Sequence, residues 1–595
     1  MRVQWLIIAF LPFLNFAGDI RIVTDGTVDG SQRDTISIRE AATVPVVWRG
    51  VKEQGHIESE LIKILAINDF HGQLSAGHRI ENRPVGGAAI LAAYLRQAQN
   101  DPSDSRLPEK TLIAHAGDHV GASPPESSFF QDEPSIAFLN SLANSYCSHG
   151  NRLHPKCNIV GTVGNHEFDE GETEMLRLIE GGNHSSGPYI DNPYRGTRFP
   201  YISANVVDRV SGEPILPPFV VKEVGAIKLA FIGAVLKETP TVVMPAGISH
   251  LRFLDEIESI NRYVRYLRES RDIRTFVVLI HQGGRQTAYE GPTQPGVILT
   301  GQEIMKIIEG LDDDVDVVVS GHSHNFTNTL VKNSHGKDIL VIQAFASGTA
   351  YADIQLQIDR STGDVVEKVG AIVTAYADRG PGLVPDPEVK QLVSLAEQKV
   401  APLTMRFIGE AQTEILRIEN EAGESDLGNL VADAQRAAMK TDFAFMNPGG
   451  LRADLPKGAI SFRDLFLVQP FSNTLLRMTL SGQDIYDLLN QQWVGQSRPR
   501  MLKVSGLTYS WDNRRLPGEK VVDVRGQDGL PLDRAKTYSI TVNDYLAAGG
   551  DRFSVFIKGR DRVGGPVDIE ALVSYVKLLP QPFECPSNNR ILRLR

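Results

Sequence analysis

IVGTVGNHEFD, residues 159–169, is a short apolar run that stops abruptly in Gly164, Asn165, His166, Glu167, Phe168 and Asp169. The β-branched residues favour a strand and the glycine a tight turn, after which an amide, an imidazole and two carboxylates crowd into a few positions. Four other runs end in the same manner. Residues 61–67 lead into Asn68, Asp69, Phe70 and His71, and residues 111–116 into Gly117 and Asp118. Residues 276–280 lead into His281, Gln282, Gly283 and Gly284, and residues 315–320 into Gly321, His322, Ser323 and His324. Helical stretches such as 87–97 and 173–180 alternate with these runs, the pattern of an α/β domain extending to about residue 377. Strands of one sheet that run the same way bring their C-terminal ends to one edge, where such folds bind ligands. The spacing therefore predicts that these polar residues converge.

Taken singly, each piece has a bland reading: a strand-end pair, a turn, a hydrogen-bonded histidine. Taken together, Asp, His and Asn are the residue types that hold two divalent transition metals, one carboxylate bridging and imidazole and amide donors completing each shell. The ordered set D-x-H, G-D, G-N-H-E, H and G-H-x-H resembles the calcineurin-like metallophosphoesterase superfamily over residues 61–348. The resemblance implies a four-layer αββα sandwich for residues 60–378. It also implies two divalent cations, zinc or manganese, one held by Asp69, His71, Asp118 and His324 and the other by Asp118, Asn165, His281 and His322. His166 is then the general acid facing the leaving group, with Asp169 orienting it; Glu167 is structural, and His115 and His119 have no role. The chemistry expected of two cations is a bridging hydroxide that attacks phosphorus in line while the metals hold the phosphoryl oxygens.

A Gly- and Pro-rich stretch, RGPGLVPDP at 379–387, marks a boundary, and a helix over 388–400 connects to a second α/β domain at 404–595. The linker and connecting helix span 379–403, a joint whose rotation would carry substrate to the metals. The second domain carries ESDLGNL at 424–430, NPGGLR at 447–452, Pro470-Phe471, and NDYLAAGGD at 543–551. These resemble the 5'-nucleotidase family. The resemblance implies that Phe471 and Tyr545 sandwich a base, Asp551 accepts from ribose hydroxyls, and Asn447 and Arg452 meet base or phosphate. Without that resemblance they read as two core aromatics, a solvated arginine and a turn aspartate. Several nucleotidases of the family carry an arginine just before the segment matching 426–429, where this chain has Gly423 and Glu424; the nearest upstream arginine is Arg417. Nucleoside monophosphates, 2',3'-cyclic phosphodiesters and nucleotide sugars therefore all stand as substrates. The competing readings are a thiosulfonate-hydrolysing sulfur-oxidation enzyme of the same fold and a catalytically silent nucleotide-binding protein.

The chain has 595 residues, enough for several domains, with 42% hydrophobic and 22% charged residues, a globular balance. A net charge of -11 argues against a surface that tracks a nucleic acid polymer, while small anions at a metal site remain compatible. Met1, Arg2 and an apolar run through residue 16 resemble a signal peptide over 1–18, implying a periplasmic or secreted protein with at most an uncleaved N-terminal anchor in a membrane. Residues 19–59 read as an irregular leader. Of the three cysteines, Cys147 and Cys157 flank the polar segment SHGNRLHPK and read either as a disulfide or as two reduced thiols.

Overall fold

The structure, a computed structural model, describes residues 58–100, 107–585 and 589–594. The segment 1–18, expected to be a signal peptide, and nearly all of the expected leader 19–59 lie outside the described residues. Two sheets stack face to face in the first domain. One has the order Val365–Thr374, Ala350–Asp359, Ser59–Ile67, Thr111–Ala116, Ile159–Thr162, Tyr201–Ile202; its four strands from Ser59–Ile67 onward are parallel. The other is built around the parallel strands Ile227–Val235, Thr275–His281, Val315–Ser320 and Asp338–Ala344, with antiparallel edges. The five run ends thus come from two sheets, not from one. The reason is packing: a strand buried on both faces is apolar throughout, and each sheet here has one face on its partner and one under helices.

Between the sheets lie Ile62, Ile64, Leu112 and Ala114 against Phe231, Val277, Val317 and Ile342, all buried. On the outer faces, the helices Ala88–Gln99 and Glu133–Leu142 cover the first sheet, and Glu256–Arg271 and Gln302–Gly310 cover the second. This is the four-layer αββα arrangement. Cys147 and Cys157 are joined in a disulfide beneath the first helical layer.

The connecting helix runs Pro387–Thr404, longer at both ends than the apolar period shows, because Asp386 caps it by accepting from Val389 N at 3.0 Å and Pro387 suits its first position. Its Val389 and Val393 pack on the first domain, and Ala396 and Val400 close over Phe130. The helix therefore belongs to the first body, and the chain passes over at residues 405–406. The second domain is a five-stranded sheet, ordered Lys503–Ser505, Phe443–Met446, Thr537–Asn543, Thr474–Ser481, Arg560–Val567, with the helices Asp426–Met439 and Asp568–Leu578 on one side. Gly482–Asn490 and a three-stranded sheet lie on the other. Among the described residues, no helix is long and apolar enough to cross a membrane.

The domains touch through a seam of aromatic rings and one ion pair. Phe129 of the first domain meets Phe462 and Phe466 of the second with ring centroids 6.4 and 5.2 Å away. Beside them the fully buried Glu126 carboxylate accepts from the Arg463 guanidinium.

Candidate metal and substrate site

The loops after the five strands deliver their side chains through unusual backbone. Asp69, His71, Asp118, His322 and His324 all have positive φ, between 49° and 69°. Non-glycine residues are rarely held there, and such strain gathers where a site dictates geometry. Gly164 is required by close approach: a Cβ on it would lie 2.1 Å from Asp118 Oδ1. Glu167 binds these loops together, its carboxylate accepting from Asp118 N at 2.9 Å, His119 N at 2.8 Å and Gly164 N at 2.5 Å. Burial, with Asp118 close by, pushes its pKa up to about 7.

Ligand atoms of Asp69, His71 and His324 lie within 4.8 Å of one another, and so do those of Asp118, His281 and His322. Asp118 joins the groups, its Oδ2 lying 2.9 Å from His281 Nε2 and 3.8 Å from His71 Nε2. Asn165 Oδ1 is 3.0 Å from His322 Nδ1. The imidazoles are oriented from behind. His71 Nδ1 is 2.9 Å from Gly121 O and His281 Nδ1 is 2.7 Å from Ala116 O. With those nitrogens donating, the Nε2 atoms point into the cluster, where each can ligate a cation once it carries no proton. His71 Nε2 lies 3.1 Å from His324 Nε2, which is itself 3.3 Å from Asp69 Oδ1, and His281 Nε2 faces two carboxylates.

Such a set calls for positive charge. Burial opposes charging of His281, but Asp118 and Asp69 outweigh it and raise its pKa to about 10. Burial and the His281 charge push His322 down to about 3, and burial holds His71 well below the ordinary range. Convergent nitrogen and oxygen ligand atoms, most of them buried, fit divalent transition metals.

His166 borders this cluster. Its Nδ1 is 2.7 Å from Asp169 Oδ2, and its ring meets His71 edge-on. Burial disfavours its charged form, yet Asp169 and Asp118 raise its pKa. From the second domain, Phe471 stacks on the His166 ring at 5.8 Å and 14°, and the Arg452 guanidinium carbon lies 5.8 Å from the Phe471 ring. Burial lowers the Arg452 pKa, while Asp118, Asp169 and Asp69 act against that and the neighbouring Arg417 adds to it. The second domain thus places an aromatic ring and a cation at the carboxylates of the first.

Asp551 and Tyr545 form a separate knot. Asn447 Nδ2 donates to Asp551 Oδ2 at 2.9 Å, Asp551 N donates to the Tyr545 hydroxyl at 2.8 Å, and that hydroxyl lies 3.0 Å from Asp551 Oδ1 and 3.1 Å from Thr241 O across the domain boundary. The Tyr545 ring lies on Gly550, where a Cβ would come within 2.4 Å of it. Phe471 and Tyr545 so have different neighbours, His166 and Gly550. The Arg500 guanidinium also donates to Asp551. Sequence reading missed Arg500; the available signal was two arginines around Pro499 in the loop at 495–500.

Residues 62–326 match the family model for calcineurin-like phosphoesterases, and residues 407–558 match that for the 5'-nucleotidase C-terminal domain. The chain is 34% identical over 564 residues to the endonuclease YhcR of Bacillus subtilis, an alignment covering 93% of this chain and 42% of that protein, so it spans less than half of that relative. It is 33% identical over 562 residues to the cell wall protein Lmo0130 of Listeria monocytogenes, covering 89% of this chain and 68% of the other. Among solved structures, a 5'-nucleotidase precursor from Thermus thermophilus superposes with a TM-score of 0.72 at 28% identity, covering 90% and 99% of the two chains.

Proposed function

Because the chain belongs to the 5'-nucleotidase family and is a metal-dependent phosphoester hydrolase, we propose that it hydrolyses phosphate esters of nucleotides with two divalent cations, zinc or manganese. In this reading Asp69, His71, Asp118 and His324 hold one cation, and Asp118, Asn165, His281 and His322 the other. Bound there, the pair supplies a hydroxide nucleophile near neutral pH and offsets charge on the phosphoryl oxygens. His166 protonates the departing oxygen, Asp169 fixing its tautomer and orientation through Nδ1. Arg452 engages the phosphoryl group, whose position among the carboxylates its own surroundings mark. Phe471 and Tyr545 take the base, and Asn447 and Asp551 the ribose.

The observation that carries this reading is the stacking of Phe471 on His166, which brings an apolar plane of the second domain to the donor cluster of the first. The relatives' own names, an endonuclease and a 5'-nucleotidase, describe chemistry on nucleotide phosphate esters. Rotation at residues 405–406, just past the connecting helix, would exchange bound and departing nucleotide. The N-terminal pattern and a cell wall protein among the relatives support an exported protein.

The test is phosphate release from AMP, UMP, 2',3'-cyclic AMP, UDP-glucose and an aryl phosphate, with zinc or manganese, beside a His166→Ala control. Nucleotide turnover that collapses in the control is the expected result. Protein that binds metal and cleaves aryl phosphate but no nucleotide would remove the roles given to Phe471 and Tyr545 and move the thiosulfonate reading ahead.

A further inference from the structure

The turn that offers Asp551 is clasped by a loop from elsewhere in the second domain. Gln496 Nε2 donates to Asp551 O at 2.7 Å, and Arg552 Nη1 donates to Gly495 O at 2.6 Å. Arg500 is anchored through its backbone, its N donating to Gln492 O at 2.9 Å, and its guanidinium reaches the Asp551 carboxylate while 28% of the side chain stays exposed. Arg498 and Arg552 stand close enough that, after burial, they lower the Arg500 pKa, with Tyr545 opposing. One guanidinium is therefore paired with the Asp551 carboxylate and two further arginines stand near that guanidinium, in a chain whose overall charge is -11.

A pair of ribose hydroxyls has no use for that surplus. Hydroxyls donate to Asp551 equally well without it, and a guanidinium on the same carboxylate competes for the oxygens that would accept them. A phosphoryl group attached to one of those hydroxyl oxygens reverses the account: it would be repelled by Asp551 alone, and it is the partner that a planar guanidinium fork matches bidentately. We propose that Arg500, flanked by Arg498 and Arg552, forms a subsite for a second phosphoryl group on the ribose, so that the chain favours nucleoside 5'-phosphates bearing a phosphate on the 2' or 3' oxygen. The inference rests on the nucleotide reading above, with Asp551 at the ribose. In the reaction, water oxygen bonds to the 5' phosphorus, the bond from phosphorus to O5' breaks, and O5' leaves with the proton from His166. Inorganic phosphate and a nucleoside 2'- or 3'-phosphate result. The same chemistry is offered by a free bisphosphate and by the 5' end of a short oligonucleotide.

The experiment compares kcat/KM for AMP, adenosine 3',5'-bisphosphate and the dinucleotide pApA in the metal-loaded full chain, for the wild type, Arg500→Ala and Arg500→Lys. Aryl phosphate turnover and the melting temperature report that each variant is folded and loaded. The expected result is a bisphosphate-to-AMP ratio of kcat/KM that falls about tenfold or more in Arg500→Ala and partly recovers in Arg500→Lys. A parallel fall for pApA assigns the subsite to oligonucleotide ends as well; a fall confined to the bisphosphate assigns it to the free compound. A ratio unchanged within about threefold means that Arg500 only holds Asp551, and the proposal fails. Turnover of aryl phosphate with neither nucleotide cleaved by the wild type would take away the nucleotide reading itself, and the subsite with it.

Discussion

In the first domain the candidate ligands crowd imidazoles against two buried carboxylates, whereas in the second the candidate substrate contacts have already satisfied one another. His71 Nε2 and His324 Nε2 stand 3.1 Å apart and His281 Nε2 faces Asp118, all on backbone held at positive φ. Asp551, by contrast, is fully engaged by Asn447, Tyr545 and Arg500. The first site is a donor cluster that a cation would complete; the second is a closed network that a ligand must open. Binding at the first should therefore stabilise the fold strongly, and binding at the second should cost the exchange of existing hydrogen bonds.

The sharpest way to break this contrast is at the carboxylate that joins the two groups. Asp118→Ala, or exhaustive chelation of the wild type, should lower phosphate release about 1,000-fold or more. Restoring metal at 100 times its Kd should raise the stability of the wild type by about 2.7 kcal/mol, read as a melting shift that Asp118→Ala lacks. Equal melting curves with and without metal would sink the description of a cluster that a cation completes. Next in size, His166→Ala should lose about 100-fold to 10,000-fold in kcat while keeping bound metal, as measured by metal analysis of the purified variant. On the second domain's side the effects should be gentler and confined to nucleotides. Phe471→Ala should raise KM for AMP about tenfold and leave aryl phosphate nearly untouched, since one stacked base is worth about 1–3 kcal/mol; an equal change for both substrates would deny the ring a role with the base. Smallest in activity is the control, Cys147→Ser with Cys157→Ser. Opening a loop of sequence separation 10 should cost about 2.7 kcal/mol of stability with kcat unchanged at both sites.

The same contrast explains what the chain made legible. Each metal-site group follows its own strand, so local patterning exposes Asp69, Asp118, Asn165, His281 and His322 without any knowledge of pairing. That the five strands divide between two stacked sheets came only with the family resemblance and not from the patterning, since apolar runs buried on both faces look alike whichever sheet they join. In the second domain the motifs at 447–452 and 543–551 are visible, but their partners are not. Arg500 reaches Asp551 from 51 residues away, and Phe471 reaches His166 from the other domain. Such contacts depend on tertiary packing and leave no period in the sequence. Glu167 was read as structural, and the structure shows its carboxylate gathering three backbone N–H groups of the ligand-bearing loops.

The seam of Phe129, Phe462 and Phe466 beside the Glu126–Arg463 pair bears on modularity. Produced by itself, the first domain would display the bare Phe129 ring together with the Glu126 carboxylate stripped of its counter-charge, eight residues from Asp118. The two halves are therefore poor candidates for transplantation: a chimera that borrows either one inherits a sticky, mis-charged face unless position 463 and its aromatic neighbours travel with it.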